Sequence, residues 1–297
     1  MRKFLLFFVS FMLLISISAC EKNKKTSEYK YRLGMVISTL NNPFFVKLKE
    51  AALESAKELQ VNLTVLDSQN DSIRELNNVE SLIVSKVDLL LINPTESDAV
   101  VSAVKLANES KIPVITIDRK SSGGAVLSHI ASDNIKGGKM AAELLKDLLK
   151  GKGKIVELEG IPGTSAARER GKGFNDGLAS TGIVIVAKQP ADFDRNKALT
   201  VVENILQSHP DINAIFAHND EMALGALKAV EEAGKSIIVI GFDGTNDAID
   251  AVRQGKLTAT LAQQPAKMGR FGVEYAVKYL NGEKIPEFIM IDLLIIQ

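Results

Sequence analysis

Residues 33–48 read LGMVISTLNNPFFVKL and pass from an apolar strand into an amphipathic helix through a turn of amide and aromatic side chains. Asn42 suits a helix N-cap and Pro43 the first helical position, for reasons of the backbone alone. Phe45 begins a helical spacing of apolar residues, so it serves a core as readily as a ligand. Because small ligands bind at the carboxyl ends of strands in open α/β sheets, the turn is a candidate binding site.

The alternation of strand and helix continues beyond this turn. It predicts two successive Rossmann-like α/β lobes with parallel sheets, and the crevice between two such lobes suits a small molecule. If each lobe is one continuous stretch of chain, three segments are left over: the last strand (258–261), a helix (268–280) and an apolar run (288–296). The other predicted strands are 33–37, 61–66, 87–92, 113–117, 154–158, 183–186, 214–217 and 237–242, and a helix at 135–149 opens the second lobe.

The N-terminus has the pattern of an export signal. Residues 1–20 combine a basic start with an apolar run at 4–17, which is shorter than the ~20 residues that a transmembrane helix needs. The sequence at 17–20 resembles the lipobox of bacterial lipoproteins, and Cys20 is the only cysteine of the chain. We therefore predict a lipoprotein signal peptide at 1–20, lipidation of Cys20 that ties the exported protein to a membrane, and a solvated tether at 21–30.

The composition excludes several classes of function. Lys plus Arg and Asp plus Glu both number 36, so the chain is formally neutral and offers no basic surface for nucleic acid. Three scattered histidines and one cysteine provide no zinc-type spacing, and no calcium loop is present in the sequence. We expect no metal, no cofactor and no nucleic-acid partner.

Polar and aromatic residues recur directly after the predicted strands, where ligands bind. The segments that carry them resemble, in order and from about Arg32 to Leu293, the periplasmic binding proteins that deliver solutes to ABC importers, and among these the ribose-binding members. The resemblance is carried by 41–45 (NNPFF), 117–119 (IDR), 163–171 (GTSAARERG), 191–195 (ADFDR), 219–223 (NDEMA) and 241–245 (GFDGT).

The resemblance implies a set of sugar contacts. Phenyl rings would cover the apolar faces of a pentose, while carboxylates accept from its hydroxyls, guanidinium groups donate to them and amides do either. Two Asp against two Arg also suit a neutral ligand, whereas a phosphate or carboxylate would favour unbalanced Arg. The predicted contacts are Asn42, Phe44, Phe45, Asp118, Arg119, Arg170, Phe193, Asn219, Asp243 and Gln263.

The family resemblance further implies a three-crossing hinge, as in periplasmic binding proteins of type I. Crossings are expected near 132–133, 263–264 and 292–293. The empty protein would open at these crossings, and the sugar would bridge the lobes of a monomer that delivers it to an ABC permease and its ATPase subunit. Some members also engage a chemoreceptor. The implied lobes are 31–132 plus 264–292 (N-terminal) and 133–263 plus 293–297 (C-terminal).

Other functions are consistent with parts of this sequence. Asp118 and Asp243 could form a glycosidase pair, but the adjacent Arg119 favours a lowered pKa for Asp118, and a general acid needs a raised one. Sugar-responsive repressors share this fold but begin with a DNA-binding helix-turn-helix, where this chain has a signal peptide. Another neutral monosaccharide such as allose, a furanose-like signalling molecule, or a sensor role remains open. Arg168 and Glu169 are interpreted as surface residues.

Overall fold

The computed structural model describes residues 29–297. The predicted signal peptide, Cys20 and most of the predicted tether lie outside that range. Within residues 29–297, none of the helices combines the length and the apolar character needed to cross a membrane.

Two six-stranded sheets organise the described chain. The strands within each sheet pair in parallel, except that the last strand of the second sheet is antiparallel to its neighbour. In spatial order, the first sheet contains β11 (Phe288–Ile291), β5 (Ser128–Ser132), β4 (Val114–Ile117), β3 (Leu89–Ile92), β1 (Arg32–Ile37) and β2 (Asn62–Asp67). The second contains β12 (Leu294–Ile296), β10 (Ala259–Ala262), β9 (Ile238–Asp243), β8 (Ala214–Ala217), β6 (Lys152–Glu159) and β7 (Gly182–Pro190). The two-lobe α/β prediction is confirmed.

Helices cover the sheets, and a hydrophobic core lies on each face of each sheet. Strands β3, β4, β8 and β10 are buried at every residue, as expected for parallel strands covered on both faces. The helices of the described chain are α1 (Pro43–Glu58), α2 (Ser72–Val84), α3 (Val101–Glu109), α4 (Asn134–Leu148), α5 (Ser165–Leu178), α6 (Arg195–Ser208), α7 (Asp220–Glu232), α8 (Asn246–Arg253) and α9 (Pro265–Leu280).

The C-terminal segments that were left over from the two predicted lobes connect the two sheets. After β10 the chain returns to the first lobe, where α9 packs against α1; a Cβ at Gly269 would lie 2.0 Å from the Leu48 carbonyl oxygen, so only glycine permits this approach. Strand β11 then extends the first sheet, and β12 joins the second. The chain thus passes between the sheets after β5, after β10 and after β11.

Strand β5 is absent from the predicted elements, although all five of its residues are buried. Its sequence, SHIAS, lacks the apolar run or the alternation that marks a strand. Its polar side chain at His129 is instead accommodated by a hydrogen bond of 2.9 Å between Nδ1 and the Thr116 hydroxyl on the neighbouring β4. A hydropathy pattern therefore does not detect this fully buried strand, because its polar residues are buried with hydrogen-bond partners.

Candidate functional site

All of the predicted site residues line one cavity between the two sheets, at the carboxyl ends of their strands. The lining residues leave about 250 Å³ of space between their atoms, part of which is open to solvent. Its charged side chains are almost completely buried; Asp118, Arg119 and Arg170 are at most 4% exposed. Ala166 also lines the cavity and was not predicted. The buried polar and aromatic lining suits a small polar molecule held between the sheets.

Two phenyl rings at the start of α1 form one wall. Phe44 and Phe45 meet edge to face, with ring centroids 5.2 Å apart. Asn42 caps the helix by accepting from the Phe44 backbone N–H at 2.9 Å, and it lines the cavity as well. Phe45 belongs both to the core of the first lobe and to the cavity wall. The cap and core interpretations of this turn are therefore compatible with a binding role.

The opposite wall is the Phe193 ring of the second lobe. Its backbone lies in the left-handed region, with φ at 61°. The ring rests directly on Gly160, where a Cβ would come within 2.0 Å of a ring carbon. The Arg119 guanidinium lies between the lobes, 5.2 Å from the Phe45 centroid and 5.4 Å from that of Phe193. These cation–π contacts hold a charged donor at the centre of the site.

Two buried polar atoms of the cavity lack a hydrogen-bond partner among residues 29–297: Arg119 Nε and Gln263 Oε1. Gln263 donates through Nε2 to Asp243 Oδ1 at 2.8 Å, which leaves its carbonyl oxygen as a spare acceptor. An unpaired buried group costs roughly 1–3 kcal/mol, so the site has one donor and one acceptor to offer a ligand. A hydroxyl group, which both donates and accepts, fits that requirement.

The charges of the site occur as opposed pairs. Arg119 Nε lies 3.8 Å from Asp118 Oδ2, and Arg170 Nη1 lies 3.5 Å from Asp243 Oδ1. Burial raises the pKa of Asp118, although the neighbouring guanidinium of Arg119 opposes the shift. Burial likewise raises the pKa of Asp243 well above its ordinary value, against the opposing charge of Arg170. The expectation of a lowered pKa for Asp118 is therefore wrong, because the loss of hydration outweighs the lowering effect of Arg119.

The two aspartates of the cavity both have strained backbone conformations. Asp118 has φ at 64° and Asp243 at 124°, and such values are costly for residues with a Cβ. Asp118 follows β4 and Asp243 ends β9, so each turns its side chain toward the gap between the sheets just where the strand stops. Strain stored at these positions is consistent with a functional constraint.

Supporting residues outside the predicted set hold the charged groups in place. Asn93 donates to the Ile117 carbonyl at 3.1 Å and to Asp118 Oδ2 at 3.4 Å. Asn134 accepts from Arg170 Nε at 2.9 Å, and the His218 carbonyl accepts from Arg170 Nη1 at 2.6 Å. Asn93 could have been found from the sequence, since it directly follows an apolar strand.

Direct contacts between the lobes lie beside the cavity. The Lys120 backbone N–H donates to Ser165 Oγ at 2.8 Å, and its ammonium pairs with Glu169 at 2.7 Å. Arg168 is exposed, as predicted, and donates to a carbonyl within its own lobe. The Glu169 side chain is 22% exposed, and its carboxylate also bridges the lobes by pairing with Lys120. Within residues 29–297, no group of three or more His, Cys, Asp or Glu side chains could hold a metal ion.

Known proteins resemble this chain along most of its length. The family model described as Periplasmic binding protein domain matches residues 33–284. The ribose import binding protein RbsB of Salmonella typhimurium is 54% identical over 268 residues, covering 90% of this chain and 90% of the relative. The D-allose-binding periplasmic protein of Escherichia coli is 33% identical over 282 residues, covering 89% and 91%. A solute-binding protein of an ABC transporter from Bacillus halodurans, solved with bound myo-inositol, superposes with a TM-score of 0.86 at 32% identity and covers 91% of this chain and 95% of its own.

Proposed function

The chain belongs to the periplasmic binding protein family, and on that premise we propose that it captures D-ribose between its two lobes and delivers the sugar to an ABC import permease. The observation that carries the proposal is the cavity itself: three phenyl rings, two Asp–Arg pairs and three amides converge on one space from both lobes. Rings suit the C–H faces of a pentose, and the charged and amide groups suit its hydroxyls. The overall neutrality of the lining suits a sugar without phosphate or carboxylate.

The choice of ribose over another monosaccharide rests on relatives. The protein named for ribose import is 54% identical to this chain, and the one named for D-allose is 33% identical. Because hydrogen bonds to charged groups contribute roughly 1.5–3 kcal/mol each, a sugar that lacks or misplaces one hydroxyl leaves a buried charge unpaired and is rejected.

The two lobes share the proposed contacts. Asn42, Phe44, Phe45, Asp118 and Arg119 belong to the first lobe; Arg170, Phe193, Asn219 and Asp243 belong to the second; Gln263 follows β10, where the chain leaves the second sheet. A ligand that touches both sets favours the closed arrangement by its differential contacts. The chain segments between the sheets would then act as the hinge. Small-angle scattering should show smaller dimensions with saturating ribose than without it, and equal dimensions would contradict the closure.

We infer that the carboxylates of the cavity accept hydrogen bonds and perform no chemistry on the sugar. Each is paired with an Arg and held in a strained turn, an arrangement that serves recognition of hydroxyls. Proton NMR of ribose incubated with the protein and then released by denaturation should return unchanged ribose. A converted product would favour the enzyme alternative.

The setting of the function follows from the family. The protein is exported, and its partners are the permease of an ABC importer and, through it, an ATPase subunit; a chemoreceptor is a further candidate partner, and the chain would act as a monomer. We propose that lipidation of Cys20 ties it to the outer face of the cytoplasmic membrane. Fractionation of cells expressing the Cys20→Ala variant should release protein that is otherwise recovered with membranes.

The melting temperature with a panel of sugars tests the proposed ligand. Ribose at 1,000 times its dissociation constant should stabilise the protein by roughly 4 kcal/mol. For a chain of this size that corresponds to about 10 °C. Allose, xylose, arabinose, fructose, glucose and galactose at the same concentration serve as comparisons. A larger shift with allose than with ribose would overturn the ribose assignment and leave the transport role in place.

A further inference from the structure

Glu75 is a buried carboxylate outside the sugar cavity. It lies on α2 and is 1% exposed. Its Oε1 accepts from the Thr95 backbone N–H at 2.7 Å, and its Oε2 accepts from the Thr95 hydroxyl at 3.0 Å. Burial raises its pKa to about 7, which the two Thr95 hydrogen bonds and the charge of Arg119 only partly offset. Burying a carboxylate costs free energy of folding, so a functional reason for its position is worth seeking.

The residue that Glu75 holds lies in a loop directly after β3, which we call the anchored loop (residues 93–97). The carbonyls of Pro94 and Thr95 both accept from Arg119 Nη1, at 3.1 and 3.2 Å. These two bonds set the direction of the guanidinium between the phenyl rings. The donor that faces the ligand is therefore oriented by a loop that has its own anchor.

The same loop reaches the second lobe. The Ser97 backbone N–H donates to the Gly163 carbonyl at 3.0 Å, and Ser97 Oγ accepts from the Ser165 backbone N–H at 3.0 Å. A Cβ at Gly163 would lie 2.6 Å from the Glu96 carboxylate, so the two lobes approach closely here. Moving the anchored loop would thus disturb both a sugar-binding group and the contact that closes the cleft.

We propose that Glu75 is a positioning residue for sugar binding: by holding Thr95 it fixes the anchored loop, and through that loop both the Arg119 guanidinium and the contact between the lobes. The inference rests on the proposed function for its binding readout. Glu75 does not line the cavity, and its two oxygens match the two donors of Thr95 one to one.

The test compares substitutions on one helix by titrating ribose into the purified proteins. Glu75→Met keeps the length of the side chain but removes both acceptors, and should weaken ribose binding by about 5- to 100-fold. Glu75→Gln retains an acceptor and should restore most of the affinity. Glu80→Met, on the exposed face of the same helix, is the matched control and should bind as the wild type does. Thr95→Val removes only the hydroxyl bond and serves if Glu75→Met fails to fold.

The same substitution in an Arg119→Lys protein distinguishes a positioning role of Glu75 from general destabilisation of the fold. If Glu75 acts through Arg119, the loss caused by Glu75→Met should be smaller in the Arg119→Lys protein than in the wild type. An equal loss in both backgrounds, or wild-type affinity in Glu75→Met, overturns the proposal.

Hydrogen exchange provides a readout that needs no sugar. The amides of Thr95 and Ser122, whose hydrogen bonds to Glu75 and to the Ser97 carbonyl lie within the first lobe, should exchange faster in Glu75→Met, while those of the core strand β8 stay protected. Failure of the wild type to bind ribose would refute the proposed function instead. Unchanged exchange at Ser122 would refute the positioning role.

Discussion

Gly160 lies directly behind the Phe193 ring, and Gly160→Ala tests whether that ring forms a wall of the sugar site. The added Cβ would lie 2.0, 2.2 and 2.5 Å from three ring carbons. Since carbon atoms in contact prefer about 3.5–4.0 Å, the ring must move by more than about 1 Å. The backbone cannot easily yield, because Asp192 and Phe193 have φ at 53° and 61° and the Asp194 N–H is bonded to the Ala191 carbonyl at 2.9 Å.

The ring therefore turns into the cavity, where it takes space from the ligand and loses its face contact. Burying a whole phenyl side chain is worth about 1.5–3 kcal/mol, so losing one face costs about 0.8–1.5 kcal/mol, which corresponds to a loss of ribose affinity of roughly 4- to 13-fold. Folding should change little, since the displaced atoms are at the free end of one side chain. Titration calorimetry and the melting temperature without sugar measure the two effects separately.

Gly123→Ala is the matched control, because its Cβ would meet only Val101 at 3.2 Å, away from the cavity. In a Phe193→Ala background the Gly160→Ala change should have almost no further effect on affinity. Ribose binding at wild-type strength in Gly160→Ala, with the fold intact, would refute the placement of the Phe193 ring against the sugar.

Three further predictions address the charged centre, the contact between the lobes and the stability of the first sheet. Arg119→Lys should weaken ribose binding about tenfold or more in calorimetry, because an ammonium cannot reproduce the planar fork between two rings; unchanged affinity would contradict its role. Ser165→Ala removes the acceptor for the Lys120 N–H across the lobes, so ribose affinity should fall about 2- to 10-fold, and an unchanged dissociation rate would argue against this contact as a support of the closed form. Burial lowers the pKa of His129 to about 3, so the unfolded chain binds more protons between that value and about pH 6.5; its contribution is present above pH 6.5 and is lost as the pH falls toward 3. The loss of unfolding free energy between pH 6.5 and 5.5 should be about 1 kcal/mol smaller in His129→Gln than in the wild type, since the unfolded imidazole is already half protonated at pH 6.5. Identical profiles from urea unfolding would contradict the buried neutral imidazole.

The periodic part of the fold could be predicted from the sequence because apolar strands and amphipathic helices alternate with little interruption. Strand β5 could not, since Ser128–Ser132 is buried through specific partners such as Thr116 and not through an apolar pattern. No local sequence pattern indicates that the chain crosses between the lobes. This crossing was expected only because of the family resemblance.

The candidate site shows the same division. The turn at Asn42–Phe45 can be recognised from its composition and from its place after a strand. Phe193 and Gln263 meet it in the cavity only through the tertiary fold, and spacing along the chain gives no hint of that meeting. The raised pKa of Asp118 was unpredictable from its neighbour Arg119, because the extent of burial is a property of the closed cleft.

The measurement that tests the central claim most directly is a calorimetric titration of the purified protein with ribose, with allose under the same conditions for comparison. The cavity and its pairs of charges predict saturable binding of ribose, one molecule per chain, and weaker binding of allose. No saturable heat with ribose, or tighter binding of allose, would contradict the claim that this site is built for ribose.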